Sequence, residues 1–287
     1  MANPAPPQRI ALLSPGAMGS AVAARLAEAG HAVLTSLAGR SASTRARAEA
    51  AGMQDATDEA LAGCDMILSV VPPAEAEPLV ERFLPYLRRR ETKPLFVDAN
   101  ALNPATKKRL AARLAEAGCG MVDGGIIGPP PTGGGRVTTT FLSGPQAGAA
   151  GAILDVPGCG ATVLDGDVGA ASALKMCYGG INKGVVGLAS ALLLAAHRHG
   201  AADALRAEMQ RSMPDLFTRY RRQIPDMVPK AYRWVAEMQE IAAFLGEDDA
   251  AGAQLFEGMA GLFAGIEIDR QGSGENIARL LRAVMPD

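Results

Sequence analysis

Residues 9–13 read Arg-Ile-Ala-Leu-Leu, a short apolar run that fits a buried strand, and Ser14-Pro15-Gly16-Ala17-Met18-Gly19 follows it as a tight turn. The stretch SAVAARLAEAG continues as an alanine-rich amphipathic helix closed by Gly30, and His31-Ala32-Val33-Leu34-Thr35-Ser36 predicts a second strand. No other feature constrains the chain as much, because strand, glycine turn, helix and strand in that order make a dinucleotide-binding βαβ unit. Gly16 lets the backbone approach a pyrophosphate, and Gly19 lets the helix pack closely on the strand. The N–H groups of the first helical turn then face the phosphates, where the helix dipole favours negative charge. The usual fingerprint opens on a glycine, and Ser14 stands at that position here. Ser14, Gly16, Ala17, Met18 and Gly19 are the candidate cofactor contacts of this turn.

The alternation continues. Residues 41–51 read as a helix, 66–71 as a buried strand, 74–87 as a helix, 95–98 as a strand and 121–123 as another. Residues 103–117 read as a helix capped by Asn103 with Pro104 at its first position. Residues 124–135 (GGIIGPPPTGGG) read as a loop, and 137–142, rich in threonine, as β-like. Strands alternating with helices predict an α/β Rossmann domain with a doubly wound, largely parallel sheet. After about Asp165 the character changes, and 168–284 reads as helix with breaks at Gly200, Pro214, Pro225, Pro229, Gly246 and Gly272. The expected organisation is a Rossmann domain over residues 1–165 and an all-α domain for substrate binding and dimerisation over 166–287.

Composition narrows the partners. A formal net charge of −2 over 287 residues leaves no electrostatic footprint for nucleic acid or an anionic membrane. Cys64, Cys119, Cys159 and Cys177 stand far apart, and His31, His197 and His199 are too scattered for a metal site. These cysteines read as buried reduced thiols, no metal is expected, and the expected location is cytoplasmic. The opening ANPAPPQ lacks the basic start and apolar core of a signal peptide. The apolar helical stretch at 185–196 is shorter than a bilayer requires, so no membrane partner is expected.

Within LDGDVGAASALKMCYGGINKGVVG, Lys175 sits in an otherwise apolar helix, and Gly179 and Asn182 follow at i+4 and i+7 on the same face. Burying an ammonium costs several kcal/mol unless it is paired or loses its proton. Two readings stay open from the residues alone: the wall of a site, or a lysine snorkelling to the surface. Asn100 ends a strand on the carboxyl edge of the sheet, where such sheets bind ligands, or begins the next turn. Val71 and Pro72 line the adenosine-side crevice or simply turn the chain. Gly124 and Gly125 offer backbone N–H groups to a substrate or turn the chain, with Ile126 beside them. Arg233, Trp234 and Glu237 form a polar-aromatic group on one helix, read as a cleft wall or as a surface ion pair at i, i+4. At the end of the second strand, 35–41 carries no carboxylate to hold a ribose 2′-OH. Arg40 and Ser41, with Arg45 nearby, suit a 2′-phosphate, which makes NADP the expected cofactor and NAD the second choice.

The Gly-x-Met-Gly turn, Ser69-Val70-Val71-Pro72-Pro73, Val97-Asp98-Ala99-Asn100, Val122-Asp123-Gly124-Gly125 and Gly169 through Lys175 together resemble the 3-hydroxyisobutyrate and 6-phosphogluconate dehydrogenase superfamily along essentially the whole chain. KMCYGGIN at 175–182 resembles the 6-phosphogluconate dehydrogenase helix that carries its catalytic lysine. The VDGGIIGPPP, SALKM and RWVAEM stretches are similar to a subgroup of bacterial 6-phosphogluconate dehydrogenase-like NAD(P)-dependent oxidoreductases whose substrates are mostly unassigned. The resemblance implies a small-molecule substrate and a homodimer whose helices complete each other's sites. It also implies Lys175 as general acid/base, its pKa lowered by desolvation at the domain junction. Three departures qualify what carries over. Ile127, Gly128 and Pro129 replace the family's carboxylate-binding serine and glycines. Gly179 replaces an asparagine, and Asn182 stands where 6-phosphogluconate dehydrogenase has its acidic glutamate, which argues against oxidative decarboxylation. An imine reductase on the same fold and a non-catalytic NADP-binding sensor are the alternatives.

Overall fold

The computed structural model describes residues 6–132 and 138–285. The chain divides into two compact units, Met1–Lys175 and Met176–Asp287. The division falls inside a long helix, whereas the change in composition at Asp165 lies ahead of that helix.

The first unit opens with β1 (Arg9–Leu13), α1 (Ala17–Glu28), β2 (Ala32–Thr35), α2 (Ala42–Ala50), β3 (Gln54–Asp55) and α3 (Asp58–Ala62). It continues with β4 (Met66–Ser69), α4 (Pro73–Arg89), β5 (Leu95–Asp98), α5 (Pro104–Ala115) and β6 (Met121–Ile127). Then come β7 (Thr138–Ser143), α6 (Ala147–Leu154) and β8 (Cys159–Val163). The eight strands form one sheet in the order β3-β2-β1-β4-β5-β6-β7-β8, parallel throughout except between β6 and β7. Alternate strand residues feed two cores. Ile10, Leu12, Leu68, Val97 and Val122 pack with Val22 and Leu26 of α1, and Ala11, Leu13, Ile67 and Phe96 pack with Phe83 and Leu84 of α4. Each fully buried large aliphatic or aromatic side chain contributes about 1.5–3 kcal/mol relative to exposure.

Several elements differ from the sequence expectation. The strand at 121–123 runs on to Ile127, so Gly124 and Gly125 lie inside β6 and do not turn the chain. Antiparallel pairing with β7 (Gly124 with Leu142, Gly125 with Phe141) imposes the strand, overriding a local composition that reads as loop. Gly133, Gly134 and Gly135 of that loop, and Val137 of the following β-like segment, lie outside the described residues. Elements β3, α3, α6 and β8 have no counterpart in the sequence reading. Both residues of β3 are exposed, and α6 (AGAAGAIL) is too uniformly small to show a periodic apolar face.

The second unit holds the rest of α7 (Ala170–Arg198), then α8 (Ala202–Ser212), α9 (Pro214–Met227), a 3-10 turn at Val228–Lys230, α10 (Ala231–Leu245), α11 (Ala250–Gln271) and α12 (Glu275–Val284). Its core gathers Val186, Leu193, Phe217, Ile224, Met238, Phe263 and Leu280. Gly180 and Gly187 let α7 approach α11, since a Cβ on either would lie 3.1–3.2 Å from the rings of Phe256 and Phe263. Pro225 sits inside α9 and does not break it. The apolar stretch at 185–196 is part of the 29-residue α7, so by length and composition alone this helix suffices to cross a bilayer, which corrects the shorter reading. Within the unit, Val186, Ala189, Ser190 and Leu193 of that helix are buried.

The first turn is tight for a definable reason. Ser14 adopts a left-handed φ of 77°, and a Cβ on Gly19 would lie 2.3 Å from the Ser14 carbonyl oxygen, whereas nothing lies within 4 Å of a Cβ on Gly16. Gly19→Ala is therefore expected to lower the melting temperature, by an overpacking cost of about 1–3 kcal/mol. Gly16→Ala is expected to leave it nearly unchanged. Thermal denaturation of the two variants side by side checks this.

Candidate functional site

The site is built on the carboxyl edge of the sheet in the first unit, where open α/β sheets bind ligands. Gly16 is the N-cap of α1, no side chain caps that end, and no acidic residue lies in its first turn. The Ser20 hydroxyl donates to the Gly16 carbonyl at 2.6 Å and fixes the turn. Open space over Gly16 and an uncapped helix start fit a bound pyrophosphate.

Beyond β2, the loop leading to α2 is held by its neighbours. Leu37 N donates to Asp55 Oδ1 at 2.8 Å, and Arg45 donates to the Leu37 carbonyl at 2.6 Å while standing 4.0 Å from Asp55. Ser41 caps α2 by accepting from Thr44 N, and Arg47 donates to the Pro15 carbonyl. Arg40 is exposed, and its guanidinium has no partner among the described residues. Asp55 is a carboxylate the local reading missed, because it reaches the end of β2 only through the pairing of Thr35 with Asp55.

At the ends of β4 and β5 the structure brings Val71, Pro72 and Asn100 together. Asn100 is 2% exposed. Its Nδ2 donates to Ser69 Oγ at 2.8 Å and to Asp98 Oδ2 at 2.7 Å, and its Oδ1 accepts from Val71 N at 2.6 Å. Both amide donors are thus spent on the protein, and Asn100 ties the β4–α4 turn to β5. Pro72 is the N-cap of α4.

Beneath these turns lies a group the sequence reading passed over. Lys107 of α5 is fully buried and donates to Asp98 Oδ1 at 2.5 Å and to the Asp98 carbonyl at 2.6 Å. It also stands 3.2 Å from Asp123 Oδ1. Asp123 in turn accepts from Gly169 N at 3.0 Å, Ser172 N at 2.9 Å and Ser172 Oγ at 2.7 Å, and Ser143 Oγ accepts from Ala171 N at 3.0 Å. The orphan N–H groups at the start of α7 are satisfied in this way. One signal existed in the sequence: Lys107 shares a helical face with Leu110 and Leu114, which are buried.

One turn further along α7 stands Lys175, half-buried. A Cβ on Gly125 would lie 3.3 Å from the Lys175 Cβ and 2.8 Å from the Ala171 carbonyl, so the glycine is what lets strand and helix meet. Gly124 is pressed similarly on Ala99, and Ile126, on the opposite strand face from Gly125, is packed in the core with Val122. The structure thus brings Lys175 against Gly125.

The remaining candidates belong to the second unit. Asn182 Oδ1 accepts from Arg219 at 2.6 Å and from Gln223 at 3.2 Å. Glu237 pairs with Lys183 of α7, not with Arg233, so the i, i+4 ion pair of the sequence reading does not form. The Lys183 ammonium lies 5.7 Å over the Trp234 ring, which meets Phe263 edge-on, while Arg233 is exposed. Burial pushes the Cys119 and Cys159 thiols up to about 11 and raises Cys64 as well, which leaves these three poor nucleophiles, whereas Cys177, expected to be buried with them, is exposed on α7.

Comparison with known proteins accords with this geometry. The family described as the NAD binding domain of 6-phosphogluconate dehydrogenase matches residues 9–155, and a domain of unknown function, DUF1932, matches 196–266. A 3-hydroxyisobutyrate dehydrogenase from Pseudomonas aeruginosa is 29% identical over 172 residues, which span 58% of this chain and only 57% of that protein. The solved 3-hydroxyisobutyrate dehydrogenase of Mycobacterium tuberculosis with L-serine shares 19% identity at a TM-score of 0.72, covering 92% of this chain and 95% of that one. An imine reductase from Streptomyces aurantiacus shares 19% identity at a TM-score of 0.55, covering 97% and 100%. At such identities the two structures speak for the fold alone. The family match over more than half the chain decides membership: the chain belongs to the family of the NAD-binding domain of 6-phosphogluconate dehydrogenase.

Proposed function

We propose that this protein exchanges hydride between a nicotinamide cofactor and a small hydroxy or oxo compound, with Lys175 as the general acid/base. One observation carries the reading: Lys175 is held against Gly125 at the carboxyl end of β6, one turn from a helix start anchored by Asp123 and Ser143. That edge of the sheet also bears the open Gly16 turn, so the cofactor-binding and proton-carrying groups share one unit. A bound nicotinamide supplies the hydride exchange. The chain's own part is to hold the pyrophosphate at Gly16, Ala17, Met18 and Gly19 and to position the Val71 turn through Asn100. Lys175 Nζ takes the proton of the substrate hydroxyl in oxidation and returns it in reduction.

NADP is the cofactor this reading favours. Asp55, the nearby carboxylate, is engaged by Leu37 N and Arg45, while the Arg40 guanidinium stands exposed for a 2′-phosphate. In the first unit, substrate contacts fall to Gly124, Gly125 and the Ile126 backbone; in the second unit, Asn182, Arg233, Trp234 and Glu237 are the separate candidates for substrate contact. Ile127, Gly128 and Pro129 in place of a serine-bearing loop weigh against a substrate held by its carboxylate. A homodimer through the helical unit accords with exposed Tyr178, Ile181, Leu188 and Leu192 on α7, an apolar stripe at helical spacing. A cytoplasmic location is the reading that goes with four cysteines left as free thiols.

Lys175→Ala is expected to lower turnover by roughly 10²–10⁴-fold while cofactor binding persists. A screen of hydroxy acids, polyols and cyclic imines with NADPH and NADP⁺, followed at the nicotinamide absorbance, checks this. Undiminished turnover in the variant removes the lysine from the mechanism, and cofactor binding without turnover in either protein points to a sensor. Fluorescence titration is expected to show NADPH binding tighter than NADH, a preference that Arg40→Ala reduces roughly tenfold or more. Tighter NADH binding by the unaltered protein overturns the assignment.

A further inference from the structure

Lys107 is a fully buried ammonium in the first unit, bonded to Asp98 and close to Asp123, and no step of the proposed reaction uses it. A buried ammonium flanked by two carboxylates, Asp98 and Asp123, leaves one negative charge without a cation to balance it. That balance comes from the start of α7. Asp123 receives Gly169 N, Ser172 N and the Ser172 hydroxyl, and lies where the helix dipole favours an anion. The other carboxylate reaches the turn after β4: Asp98 Oδ2 accepts from Asn100, whose Oδ1 accepts from Val71 N. Lys107 therefore has two arms, one ending at the β4–α4 turn and one at the helix turn that precedes Lys175.

A buried ion cluster of this kind is poor evidence for stability, since apolar residues of similar volume often serve as well. What it supplies that apolar packing does not is direction, because each hydrogen bond fixes an angle as well as a distance. We infer that Lys107 is a positioning residue, which sets Lys175 in register with the Val71–Asn100 crest by pinning Asp98 and Asp123 to one point. The inference rests on the reading of Lys175 as the proton carrier. Without the ammonium, Asp98 and Asp123 repel each other, Asp123 shifts, and the first turn of α7 loses its anchor.

The test needs no substrate. Competitive acetylation of the full chain with acetic anhydride, read by mass spectrometry, gives the reactivity of Lys175 relative to Lys183 two turns along the same helix. In Lys107→Met the Lys175:Lys183 ratio is expected to rise at least threefold as the loosened first turn exposes Lys175, and in Lys107→Arg, which keeps the charge, to move back towards the original value. Ser172→Ala removes one bond to Asp123 while keeping every charge, and is expected to raise the ratio in the same direction if Lys107→Met does not fold. An unchanged ratio in the folded variants overturns the inference, as does a parallel rise at all lysines, which marks general loosening. Failure of the proton-carrier reading appears separately, as turnover retained in Lys175→Ala.

Discussion

One ammonium beneath the ends of two neighbouring strands organises this site. Lys107 meets carboxylates from β5 and β6, and those carboxylates reach the turn after β4 and the start of α7. Removing one partner from such a buried cluster typically costs about 3–5 kcal/mol, because the charges left behind have neither water nor a counterion. The cluster is therefore a commitment of the fold: α5, β5, β6 and α7 are bound to one arrangement at the carboxyl edge.

Around it, close approach is secured by leaving side chains out. Gly19 admits the Ser14 carbonyl, and Gly125 admits the first turn of α7. In both cases a strand end is brought within van der Waals distance of a helix start, which is where backbone N–H groups and the helix dipole are available to an anion. The difference lies in what occupies the helix start. That of α1 has no side-chain cap, while that of α7 is filled by Asp123 and Ser143. The first suits a phosphate, and the second holds Lys175 in place.

Much of this was legible in the sequence, and the reasons are local. Apolar runs of strand length, the capping pair Asn103-Pro104 and the spacing of the first glycines each act over a few residues, so the alternation of β1 to β6 follows from pattern alone. Lys175 announced itself as a charge inside an apolar helix. The elements that were missed carry no such contrast: β3 is two exposed residues, α6 is small residues throughout, and β6 runs through two glycines. Of the two readings open for Arg233 and Glu237, the i, i+4 ion pair lost to a partner on another helix, Lys183, which local spacing does not reveal.

By itself the sequence determined the βαβ entry, the α/β unit followed by helices, and the family, since all of these depend on short-range periodicity and on motifs contiguous in the chain. Only the tertiary structure decided that Asp98, Lys107, Asp123 and Ser172 meet, that β7 pairs antiparallel with β6, and that Asp55 stands beside the loop after β2. Those contacts join segments that are remote in sequence, and their energy comes from desolvated charges and strand pairing, neither of which leaves a periodic trace along the chain.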